Sequence, residues 1–183
     1  MIRCAALYID PAGPYPKIDG VDCWDEERDA RLYDGPHPIV AHPPCGPWGR
    51  LRQFCTRQDP RLAIRAVEQV ARWGGVLEHP LVSLIWDRLP PGIGYLVTIH
   101  QVEFGHRTRK PTKLWCVGIS QRLVAEMLRS RDRTARPTGV IAGGTAWRKR
   151  TGAKVVGKRE ARCTPPLLAE WLVKLAESAR RDG

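Results

Sequence analysis

Short apolar runs separated by one long amphipathic stretch are the main regularity of this chain. Cys4 to Ile9 is apolar until Asp10-Pro11-Ala12-Gly13-Pro14 stops it, and Pro38-Ile39-Val40-Ala41 runs into His42-Pro43-Pro44-Cys45. Short apolar runs bounded by proline and glycine read as buried strands with loops behind them. After Asp59-Pro60, the positions Leu62, Ala63, Ala66, Val67, Val70 and Ala71 keep the three-and-four spacing of an amphipathic helix. Asp59 suits the N-cap, Pro60 the first helical position and Gly74 the C-terminal cap. Val76-Leu77 then forms a third strand and leads into Glu78-His79-Pro80.

Tyr95 to Phe104 and Leu114 to Gly118 are β-rich and flank Gly105-His106-Arg107-Thr108-Arg109-Lys110-Pro111-Thr112, which predicts a hairpin with a basic loop. Asp22 to Leu32 is charged, with a helical turn as one reading of Asp25-Glu26-Glu27-Arg28. Thr164-Pro165-Pro166 opens a closing helix with Leu167, Leu168, Trp171, Leu172, Leu175 and Ala176 on one face. The elements predict a compact α/β fold. Its strands ending at Ile9, Ala41 and Leu77 should be parallel neighbours, the helix over Asp59–Trp73 their crossover, and the hairpin an antiparallel addition.

With 183 residues, 43% of them apolar, the chain can bury one real core, and residues 1–183 are read as a single domain. Thirty Lys and Arg against 19 Asp and Glu give +11, a surplus that suits a polyanionic partner. Eight of those eleven net charges lie in the segment 131–163, which is Gly-containing, weakly periodic and reads as a flexible basic strap. Within it, Trp147 beside Arg148, Lys149 and Arg150 is the composition that stacks bases and neutralises phosphates; a solvated loop is the plainer reading of the same charges. No stretch reaches the ~20 apolar residues of a membrane helix, and the first apolar run is too short for a signal peptide, so a cytoplasmic protein without a membrane partner is expected. The six cysteines are scattered without Cys-x-x-Cys, as in a reducing compartment.

Three places carry candidate chemistry. Cys45 follows two prolines at a strand end, where the stiff backbone presents a thiol, and Arg50, Arg52 and His42 are near enough in sequence to stabilise a thiolate. A buried inert cysteine on a rigid corner is the alternative. Glu78 ends an apolar strand, where burial raises a carboxyl's pKa and fits it to donate a proton; an ordinary turn-capping acid is the alternative. Arg107, Arg109 and Lys110 crowd the hairpin tip as a phosphate or base clamp, or as a solvated loop. His37, His42 and Cys45 are ligand types without a matching second half, so no metal is expected.

Taken in order, Pro43-Pro44-Cys45, Leu77-Glu78-His79-Pro80 and Phe104-Gly105-His106-Arg107-Thr108-Arg109-Lys110-Pro111-Thr112-Lys113-Leu114-Trp115 resemble the target-base motifs of the cytosine-C5 DNA methyltransferases, and most of all small, truncated, phage-encoded members. The resemblance spans roughly residues 37 to 118, and the helix after Thr164-Pro165-Pro166 is similar to the family's last helix. It implies a truncated Rossmann-like methyltransferase sheet, a DNA partner in the host cytoplasm, and roles for four residues. Cys45 would attack C6 of a pyrimidine, Glu78 would serve N3, and Arg107 and Arg109 would hold base and thiolate. Arg50, Arg52, Lys110, Arg148, Lys149 and Arg150 would contact the nucleic acid. His79 stands where the family usually has Asn, and Gly105 where many members have Gln. The resemblance also implies S-adenosylmethionine, but the family's aromatic-x-Gly-x-Gly loop is not matched by Leu7-Tyr8-Ile9-Asp10-Pro11-Ala12-Gly13-Pro14, so the cofactor stays unassigned. The rival class is a non-catalytic nucleic-acid-binding protein without a methyl-donor site; a further reading is an enzyme using another donor or a free nucleotide.

Overall fold

The computed structural model describes residues 1–50, 52–141 and 152–180. Six strands form one mixed sheet: β1 (Cys4–Leu7), β2 (Val21–Trp24), β3 (Ile39–Ala41), β4 (Gly75–Pro80), β5 (Tyr95–His100) and β6 (Pro111–Val117), in the order β2-β1-β3-β4-β6-β5. The first four are parallel, and β6 lies antiparallel between β4 and β5. The described helices are α1 (Arg61–Trp73), α2 (Gln121–Met127), α3 (Lys158–Arg162) and α4 (Pro166–Glu177), joined by short 3-10 turns. No helix of the described residues is long and apolar enough to cross a membrane.

Alternation along the strands divides the core in two. Leu7, Ile39, Ala41, Leu77 and Trp115 pack with α1 on one face, while Ala6, Val40, Val76 and Leu114 pack with α4 on the other. Strands covered on both faces need apolar side chains at nearly every position, which is why β1 and β3 read as continuous apolar runs. Helix α1 starts at Arg61 with Pro60, not Asp59, in the capping position, though the Asp59 carboxylate still accepts from the Arg61 backbone N–H at 2.9 Å. Gly74 caps the other end as expected, taking φ +72° as its amide donates to the Val70 carbonyl. The next residue, Gly75, has φ +113°, and a Cβ there would lie 2.0 Å from the Ile39 carbonyl oxygen.

One expectation is corrected. The charged stretch at Asp22, where the sequence reading places no strand, begins inside β2, an edge strand. An edge strand tolerates charge, and here Asp22 is occupied, accepting from the Trp24 indole N–H at 2.8 Å and pairing with Arg28. The predicted hairpin forms as β5 and β6, and the described part of the segment 131–163 carries regular structure. Gly139–Val140 (β7) pairs in parallel with Lys154–Val155 (β8), and α3 follows. The amides of Thr138 and Gly139 both donate to the Arg107 carbonyl, which ties this ribbon to the hairpin loop.

Candidate active site

The four parallel strands and β5 all end on one edge of the sheet, and β6 begins there. Polar residues placed immediately after strand ends therefore gather at that edge, the usual position of a ligand site in such sheets. His42 follows β3, Gln101 follows β5 and Thr112 lies opposite the end of β4, while Glu78, expected to end its strand, lies inside β4, which runs on to Pro80. Their side chains form a hydrogen-bonded chain. The Gln101 amide donates to Glu78 Oε1 at 2.9 Å and sits 3.0 Å from Thr112 Oγ1; His42 Nδ1 lies 3.0 Å from Glu78 Oε2, and His42 Nε2 lies 2.5 Å from the Tyr15 hydroxyl. A carboxylate only accepts, so Nδ1 of His42 carries the hydrogen. Both ring nitrogens of His42 are thus engaged, and His42 is not a base for Cys45.

Glu78 behaves opposite to the expectation of a raised pKa. Burial does push its carboxyl up, but the hydrogen bond and charge of His42, with Lys110 and His79, outweigh burial and hold it down at about 2. Its side chain is only 13% exposed, so this is an ionised carboxylate kept in place by donors. The adjacent His79 points to the other face of the sheet. It is 1% exposed, stands edge-on to the Trp86 ring, and is held at about 4, by burial above all, against the pull of Glu78 and of the Pro44 carbonyl. His79 is therefore a neutral ring behind the Pro43-Pro44-Cys45 turn, which it buttresses.

Cys45 begins the 3-10 turn Gly46–Trp48, and its carbonyl accepts from the Trp48 and Gly49 amides. The turn is pinned from outside: Gln58 Oε1 accepts from the Gly46 amide at 3.1 Å, and a Cβ on Gly46 would strike Gln58 and Cys55. As a residue Cys45 is exposed, yet burial of its sulfur is the largest influence on its thiol and pushes the pKa up. Glu78 pushes it further in the same direction, and Lys110 and Arg162 oppose both. The expected thiolate stabilisation by Arg50, Arg52 and His42 is thus replaced. Arg50 and Arg52 are exposed, and the cations acting on the thiol come from the hairpin loop and the end of α3.

Of the three basic residues at the hairpin tip, Lys110 is the one turned toward the cysteine and the glutamate. Its φ of +37° reverses the chain direction ahead of β6. Burial pushes its ammonium pKa down, while Glu78, Cys45 and Cys163 pull it up, and Nζ donates to the Cys163 carbonyl at 3.0 Å. Arg107 instead pairs with Glu160 at 3.2 Å, and Arg109 donates to His100 Nε2 at 3.1 Å. His106 accepts from the Thr108 amide at Nδ1, so its Nε2–H faces the Glu160 carbonyl at 3.1 Å. His106, Arg107 and Lys110 thereby dock α3 over the loop. His37 lies at the other end of β3, its backbone paired with the Tyr33 hydroxyl. Arg148, Lys149 and Arg150 lie outside the described residues.

The site thus brings together Cys45, Glu78 and Lys110, and adds Tyr15, His42, Gln101 and Thr112. The turn after β1 does not fit the nucleoside of S-adenosylmethionine. Where a glycine would let a ligand approach the backbone, Tyr8 takes φ +59° and its hydroxyl donates to Gln69 Oε1 at 3.0 Å. Ile9, next in the turn, is buried, as is Tyr15 at the start of the 3-10 turn that follows. Neither the protein-family models, the curated proteins nor the solved structures compared with this chain give a match.

Proposed function

We propose that the carboxyl-edge cleft receives a pyrimidine base of nucleic acid and that Cys45 adds to its C6, as in the cytosine-C5 methyltransferases the sequence resembles. The observation that carries this reading is the convergence of Cys45, Glu78 and Lys110, each acting electrostatically on the others. A sheet of four parallel strands with an antiparallel strand before the last is also what a truncated Rossmann-like methyltransferase calls for. In the step itself the Cys45 thiol first gives its proton to solvent. The sulfur–C6 bond forms as the C5=C6 pair moves toward C4 and the C4=N3 pair moves onto N3, which takes a proton from solvent. The ionised Glu78 accepts from the exocyclic amino group or from the protonated N3, stabilising the ring form that carries this charge. C5 is then an enamine carbon that takes a proton from water. Reversal releases the original C5 hydrogen, the base and the thiolate.

That exchange needs no methyl donor, so it tests the reading without a cofactor. Single-stranded DNA carrying cytosine tritiated at C5 should release tritium to water in the presence of the protein. Cys45→Ser should abolish release, and Glu78→Gln should reduce it by two or more orders of magnitude, the scale of a lost charge-stabilising group. Wild-type protein that releases none, at concentrations where it binds the DNA, leaves the second reading: a binding protein whose Cys45 is inert. The raised thiol pKa and the filled turn at Tyr8 are the observations that favour that reading.

A further inference from the structure

On the far side of the hairpin loop from Cys45 lies a cavity of about 660 Å³. Its apolar wall includes Val102, Pro111, Val140 and Ile141, and its rim carries Arg109, Arg133 and Arg136. Among the described residues no acid pairs with the charges at this rim. Arg109 donates to the neutral side of His100, Arg136 donates to the backbone carbonyls of Thr134 and Ala135, and all three arginines are exposed. The one acid among the lining residues, Glu103, is taken by Arg131 at 3.1 Å. Because His100 Nε2 accepts from Arg109, Nδ1 carries the ring hydrogen, and it is buried without a partner. Burial first, then Arg109, hold the His100 pKa down, so the ring stays a neutral donor.

An apolar wall of this size, beside three guanidinium groups that have no acid partner among the described residues and an unspent imidazole N–H, is matched by one ligand chemistry. We infer that the cavity binds a nucleoside phosphate unit, its base or sugar against Val102, Pro111 and Val140 and its phosphates against Arg133 and Arg136. Guanidinium forks bind phosphate oxygens in pairs and lose less on desolvation than ammonium groups. Thr108 and Lys110 belong to the wall between this cavity and the Cys45 cleft. A strand with one base at Cys45 therefore has its neighbouring nucleotide at the cavity, a placement that rests on the function proposed above; a free nucleotide would satisfy the same groups without it.

The test is fluorescence anisotropy with a labelled ten-nucleotide single-stranded DNA, across a salt series, on wild-type protein and on Arg133→Ala/Arg136→Ala. The double variant should bind at least tenfold more weakly at low salt. Its slope of log affinity against log salt should be shallower by about 1.4, since each phosphate contact with a single strand contributes about 0.7. Arg136→Glu alone should weaken binding more than Arg136→Ala, and a matching thermal unfolding midpoint shows the variants folded. Cytidine triphosphate as competitor separates the sources. Displacement of the DNA by the nucleotide, lost in the double variant, supports a free nucleotide as the occupant; response of the oligonucleotide alone supports the strand. Equal affinity and equal slope in wild type and double variant overturn the proposal, as does wild-type protein that binds neither probe. Tritium release measured at saturating DNA keeps the two readings apart. Release retained without any affinity change overturns the cavity alone, and an affinity loss with no release in wild type overturns the Cys45 chemistry alone.

Discussion

Glu78→Gln separates what the buried glutamate does for the fold from what it does for chemistry. Its pKa falls from an ordinary 4.5 to about 2. At about 1.4 kcal/mol per pH unit, the folded state favours the ionised form by roughly 3 kcal/mol. The sign is that of a depressed carboxyl. The contribution is complete above pH 4.5, where the unfolded chain is ionised too, and is lost as pH falls from there through about 2. The amide cannot replace the carboxylate without loss, because the two neighbours at 3.0 and 2.9 Å, His42 and Gln101, both donate to it. Gln accepts from one and presents its own N–H to the other unless His42 changes tautomer and Tyr15 turns its hydroxyl. The expected outcome is a variant less stable than wild type by about 3 kcal/mol at pH 7, read by urea unfolding, out of the 5–15 kcal/mol of a domain this size. By pH 3 less than half of that gap should remain, and near pH 2 most of it should be gone. A gap of equal size at pH 7 and pH 3 would mean that lost packing, not ionisation, accounts for the change. No gap at pH 7 would remove the Tyr15–His42–Glu78–Gln101 chain from the fold's energetics.

Site-resolved alkylation with iodoacetamide, followed by mass spectrometry over a pH series, should place the Cys45 midpoint above the ordinary thiol value of 9.0. Lys110→Met should move it further up, and Glu78→Gln should move it down; the reverse order would show that the two charges do not face the sulfur. Gly75→Ala should cost more than about 3 kcal/mol in thermal or urea unfolding, because the added Cβ lies 2.0 Å from the Ile39 carbonyl at a φ of +113°. A near-neutral effect there would show that β3 and β4 do not approach as described.

The sequence made the interior of the sheet legible and the site only in outline, for a physical reason in each case. β1, β3, the start of β4, α1 and α4 bury whole faces, so their apolar periods show, with Gln69 of α1 the polar exception. β2 was hidden because an edge strand keeps Asp22 and lets Arg28 satisfy it. Cys45 and Glu78 were found because a proline corner and an acid directly after an apolar run are local signals, although β4 runs two residues past Glu78. Tyr15, Gln101 and Thr112 carry no such signal; the sheet order brings them beside Glu78 from three separate stretches of chain. The rule that ligands sit beyond carboxyl ends of strands, applied to each residue after a strand, would have collected His42 and Gln101. Which cation at the hairpin tip faces the site was not legible, since it depends on the left-handed φ of Lys110.

The charges around Cys45 also suggest how the proposed chemistry would be held in check. Burial and the negative Glu78 keep the sulfur protonated, while Lys110 and Arg162 work against them. A base that brings an amino group or a protonated N3 against Glu78 offsets that negative charge and excludes nothing from the two cations. The balance at the sulfur then tips toward thiolate only when a ring is in place to receive it. Thiolate chemistry would follow binding rather than precede it, which spares an exposed cysteine from unproductive alkylation or oxidation. The alkylation series decides this. With saturating cytosine-containing DNA under conditions where any C6 adduct is reversible, the residual reactivity of Cys45 should rise at lower pH than in the free protein. A midpoint that stays in place or moves up with DNA bound would show that the base does not meet Glu78.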